Sequence, residues 1–109
     1  MNKQRRKFID GVIDVLSSID FNDEDTTIDW VHDIVNNAIN DIVSVHDEEL
    51  TAFNRVPASL RSQSHVKDME NVIDFSINAL MFLKSAHNSQ DPDEIQKGIL
   101  AAINELDNI

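Results

Sequence analysis

The side chains best suited to chemistry crowd between Asp20 and Glu49. Asp29, His32 and Asp33 stand at i, i+3 and i+4, which on a helix gathers two carboxylates and an imidazole, the spacing that carboxylate-bridged metal sites use. Such a site needs a matching motif on a second helix, and no Asp or Glu stands three residues before His46, His65 or His87. Asp20, Asp23, Glu24 and Asp25 have the composition of a calcium loop without its alternate ligand spacing, central glycine or terminal Glu. Cysteine is absent, and neither a glycine-rich phosphate loop nor a serine set in a strand-to-helix elbow occurs. No catalytic residue, metal or cofactor is expected.

What the acids can do is present charge. Asp29, Asp33, Asn37 and Asp41 recur at steps of four, followed by Asp47, Glu48 and Glu49. Like charges four apart destabilise a helix by a few tenths of a kcal/mol per pair, and no lysine is interleaved to relieve them. Net charge is −11 and unevenly spread. Four bases open the chain at Lys3, Arg5, Arg6 and Lys7; from Phe8 to Asn54 there are twelve acids and no Lys or Arg; beyond that, five bases face eight acids. Such a surface repels phosphates and attracts cationic clefts, which disfavours direct nucleic-acid binding and favours a basic protein partner. A solubilising face would produce the same string. The four leading bases read either as a frayed, solvated terminus or as a patch for an acidic partner or the acidic middle of a neighbouring subunit.

The elements that must position these residues are helical. Two glycines, two prolines and long stretches without turn residues argue against a sheet. The apolar spacing predicts helices over about 3–19, 27–54, 64–87 and 92–106 in a single domain covering 1–109. The second, near 40 Å long at about 1.5 Å per residue, carries Val31, Val35, Ala38, Ile42 and Val45 as an apolar stripe, with Trp30 expected in the core. Gly11 is a candidate close approach to another helix. Val56-Pro57 breaks the chain before a short turn through Leu60, and Ser62 or Ser64 is expected to cap the third helix. Asp91-Pro92-Asp93-Glu94 reads as an N-cap, a first-position proline and a capping box. Leu80, Met81, Phe82 and Leu83 are apolar on every side and need cover from other helices or a second chain.

The opening Met1-Asn-Lys-Gln-Arg-Arg-Lys7 and the run Glu48-Glu-Leu-Thr-Ala-Phe-Asn-Arg-Val-Pro-Ala-Ser-Leu-Arg-Ser-Gln-Ser64, leading into Asp68-Met-Glu-Asn-Val-Ile-Asp74, resemble a group of small acidic helical-hairpin proteins encoded by phages and mobile elements. The likeness covers about half the chain; the loop at 20–26 departs from it, as does the use of Asp and Asn where the group has mostly Glu. It implies a helical-hairpin fold and a phage setting and transfers no site. The paired Glu-x-x-Glu and Glu-x-x-Asp motifs of all-helical nucleotide pyrophosphatases are not reproduced by Glu70 and Asp74.

The expectation is therefore an all-α, four-helix chain centred on an antiparallel helical hairpin, forming a homodimeric bundle through Leu80, Met81 and Phe82. Its expected role is a small phage-type inhibitor, acting in the host cytoplasm, that binds a host nucleic-acid-binding or anti-phage defence protein through Asp29, Asp33, Asp41, Asp47, Glu48 and Glu49, in part by imitating nucleic-acid charge. Two alternatives stand beside it: a structural dimeric bundle, and a metal-dependent nucleotide hydrolase. No apolar run approaches the roughly 20 residues of a membrane span.

Overall fold

A computed structural model describes residues 1–109 and contains four α-helices, one 3-10 turn and no strand. Helix α1 spans Lys3–Ser17, α2 Ile28–Asn54, α3 Ser64–Asn88 and α4 Pro92–Asp107, with the 3-10 turn at Ala58–Leu60. The molecule is elongated, 55 × 22 × 18 Å, its length set by α2 and α3. No helix is long and apolar enough to cross a membrane.

Local chemistry places the helix ends. Asn2 caps α1, its side chain accepting from Arg5 N at 2.8 Å, which offsets the absence of acids in a first turn crowded with bases. Thr27 caps α2 by accepting from Trp30 N at 3.1 Å. Pro57 leads directly into the 3-10 turn, as its fixed φ favours. Neither Ser62 nor Ser64 caps α3: Gln63 holds the cap position with no side-chain hydrogen bond. At α4, Asp91 accepts from Asp93 N at 3.0 Å and Pro92 opens the helix, but Glu94 does not close a capping box. Its carboxylate accepts instead from Ser89 Oγ, and that same hydroxyl takes Asp91 N, so Ser89 does the work expected of Glu94.

The core draws on all four helices: Ile9, Val12 and Leu16 from α1, the stripe Val31 to Val45 from α2, Ala79, Leu83 and Ala86 from α3, and Ile95, Ile99, Ala102 and Leu106 from α4. Each Val, Leu or Ile side chain fully buried there contributes on the order of 2 kcal/mol. Helix α3 packs along both α2 and α4, while α1 lies more sparsely against α2 and α4. The start of α2 meets the end of α3, where His32 Nε2 is hydrogen-bonded to the Ser89 carbonyl at 2.8 Å and the His32 and His87 rings lie 5.2 Å apart.

Two further expectations change. Trp30 is 47 % exposed rather than a core anchor, because Val31 takes the inward position at the start of α2. Gly11 approaches nothing: a Cβ there would meet no atom within 4 Å. The close approach is at Gly98, where a Cβ would stand 3.0 Å from the Phe82 carbonyl oxygen and 3.1 Å from Ala86 Cβ. On α3 the small residues Ser76, Ala79 and Ala86 turn inward where α2 and α4 come close, and the buried Ser76 hydroxyl is satisfied by the Val72 carbonyl at 2.6 Å.

Candidate partner-binding surface

Counting about 100° per residue around α2, its six candidate carboxylates do not form one wall. Asp29, Asp33 and Asp47 fall within about 40° of one another, are exposed, and lie opposite the buried stripe. None of the three pairs with a Lys or Arg; Asp47 touches only His46 Nδ1, at 3.3 Å. Asp41 and Glu48 lie roughly 100° further round, on the flank that faces α1. Asp41 is half-buried beside Lys7, Phe8 and Gly11.

Glu49 leaves the set altogether. It stands four residues after Val45 and seven after Ile42, in register with the buried stripe, and is 1 % exposed. Arg5 of α1 reaches it: Nη1 donates to Glu49 Oε1 at 3.0 Å, and Nε donates to Glu48 Oε2 at 2.7 Å. The two hydrogen bonds, that to Glu48 the larger influence, hold the guanidinium pKa above its ordinary value. Glu48 keeps an exposed edge and Glu49 is buried; the single guanidinium ties both carboxylates to α1 and balances one of their two charges. Arg5 is thus neither frayed nor free, while Lys3, Arg6 and Lys7 remain exposed. Glu49 Oε2 and His46 Nε2 are buried without a hydrogen-bond partner.

The metal geometry considered for Asp29, His32 and Asp33 does not assemble, since His32 turns to Ser89 while both aspartates face solvent. No group of three His, Asp or Glu residues closes on a point that could hold an ion. On α3 the expected apolar interface divides: Leu80 packs against the core, Met81 is 66 % exposed, and Phe82 is 39 % exposed on another side of the helix. Ile77, one turn before Met81, completes an exposed pair.

Sequence reasoning missed a second surface, the apolar groove between α1 and α2 where Phe8 and Val15 stay exposed on either side of Gly11. The signal was the breadth of the α1 apolar arc, from Phe8 to Ile19, wider than one helical contact covers. No protein-family model matches the chain, and neither a curated protein nor a solved structure is significantly similar to it.

Proposed function

We propose that this chain is a binding protein and not a catalyst, and that the outer face of α2 engages a basic surface on another protein. One observation carries the reading: Asp29, Asp33 and Asp47 are exposed on one face with no Lys or Arg of their own chain to neutralise them. Asp41 extends the charge towards α1. In the phage-type setting that the resemblance implies, the partner is a host nucleic-acid-binding or defence protein whose cationic cleft accepts carboxylates in place of phosphates, in the host cytoplasm. With Glu49 buried and Glu48 tied to Arg5, the imitation is of a short anionic patch and not of a long backbone.

The test is capture from a bacterial lysate at low and high salt, followed by a direct binding measurement on the captured protein. Wild type is expected to retain a basic partner that salt releases, because exposed charges are screened within about 8 Å at physiological ionic strength. Asp29→Lys/Asp33→Lys is expected to lose that partner with its helical circular dichroism unchanged; equal binding by variant and wild type removes the reading.

A structural second reading has its own support. Ile77 and Met81 stand exposed on α3, flanked on the same face by Asp74 and Lys84, one charge of each sign. That face suits self-association of the α2–α3 pair, which the His32–Ser89 contact and the short connection favour as an antiparallel hairpin.

A further inference from the structure

The groove between α1 and α2 encloses about 400 Å³. Its floor is Val12 and Ala38, its walls are Phe8 and Val15 on α1 and Ile34 on α2, and it opens where Gly11 supplies no side chain. The groove does not come from a loose helix. Ile9 and Leu16 of α1 are each 2 % exposed, and Arg5 ties the same helix to Glu48 and Glu49. Two anchored helices therefore hold apolar walls apart in solvent, with Phe8 45 % and Val15 52 % exposed. Trp30, one turn before Ile34 on α2, adds a further exposed ring on that flank.

The charge around the groove selects its occupant. Asp41 lines it and Asp14 follows Gly11 by three residues; Lys7 is the one base against these two acids. A second copy docking here by twofold symmetry would set this acidic rim against itself, on a chain of net charge −11. Anionic membranes and nucleic acids are repelled for the same reason. What fits is an apolar stripe flanked by cations.

We propose that the α1–α2 groove receives one amphipathic helix of a partner protein, with Lys or Arg flanking the apolar anchors that enter the opening at Gly11 between Phe8 and Val15. The inference rests on the reading that the partner is basic, and it names the element of that partner which docks, in the mode where an apolar helix face lies in a groove.

The probe is a synthetic tryptophan-free helical peptide with Leu at i, i+3, i+4 and i+7 and Lys elsewhere, compared with a peptide of the same composition whose leucines are scattered over all faces. Trp30 is the only tryptophan and there is no tyrosine, so its fluorescence reports binding from the groove side of α2. Wild type is expected to bind the patterned peptide at least about tenfold tighter than the scattered one. Gly11→Leu fills the groove at a position with open space and is expected to abolish that margin without lowering the melting temperature; Val15→Ser, at an exposed site, is expected to reduce it. Asp29→Lys/Asp47→Lys, on the outer face, is expected to weaken both peptides alike. Equal binding of the two peptides, or an undiminished margin in Gly11→Leu, overturns the groove. If that equal binding still falls in Asp29→Lys/Asp47→Lys, the charge reading stands while the groove falls. A dimer in light scattering that Gly11→Leu dissociates would make the occupant a second copy and overturn the proposal.

Discussion

Glu49 occupies a position where the helical register calls for an aliphatic residue, and Arg5 is what makes it tolerable. Removing one partner of a buried ion pair costs about 3–5 kcal/mol because the other charge is left uncompensated, whereas replacing the buried member by an apolar residue of similar size is often neutral or stabilising. Arg5→Ala is therefore expected to destabilise by about 3 kcal/mol in urea unfolding. Glu49→Leu is expected to be near neutral, since Arg5 is partly exposed and keeps Glu48. In the double variant Arg5→Ala/Glu49→Leu most of the Arg5→Ala loss should disappear; simple additivity of the two changes would show that Arg5 acts by packing alone. The folded-state pKa of Arg5 is raised, so its contribution is fully present below the unfolded value and is lost only as pH rises through the folded one. On the alkaline side the clamp therefore imposes no loss across the working range. Glu49 was misread from sequence because it belongs to an acidic run; its steps from Ile42 and Val45 already placed it on the inner stripe. Which base would reach it was not legible, since that depends on how α1 crosses α2.

At the scale of elements, the two glycines separate what a helix prefers from what its neighbours allow. Both sit inside helices, where glycine costs about 1 kcal/mol relative to alanine. At Gly11 nothing stands within 4 Å of an added Cβ, so Gly11→Ala is expected to stabilise by up to about 1 kcal/mol. At Gly98 the added atoms meet the Phe82 carbonyl and Ala86, so Gly98→Val is expected to destabilise by roughly 1–3 kcal/mol, the usual cost of overpacking. Paired thermal melts check both signs, and destabilisation by Gly11→Ala would mean that α1 lies closer to α2 than the groove allows. The helix spans were legible because prolines and short polar caps act through bonds to the next few residues, as Thr27, Pro57 and Asp91 show. The small residues on the inner face of α3 were not, because Ser76, Ala79 and Ala86 turn inward for their small size against α2 and α4, and hydrophobicity alone ranks Met81 and Phe82 above them.

At the scale of the whole molecule, charge decides which surfaces can meet a second copy. The region from Phe8 to Asn54 carries twelve acids and no Lys or Arg, so any symmetric contact through α2 or the α1–α2 groove brings like charges together. The outer face of α3 differs: Asp74, Ile77, Met81 and Lys84 follow one another at steps of three and four, which places an exposed apolar pair between opposite charges. A twofold contact there can set the Lys84 of each copy near the Asp74 of the other while Met81 packs on Met81. If the chain self-associates, the contact is expected on this face, and Met81→Asp is expected to shift the mass in light scattering from dimer to monomer with helical content unchanged. Leu80 contributes by supporting α3 from within, so Leu80→Ala should lower the melting temperature at any protein concentration, as loss of core packing does. A wild type that stays monomeric at millimolar concentration would remove the α3 contact and leave the outer face of α2 and the groove as the proposed partner surfaces.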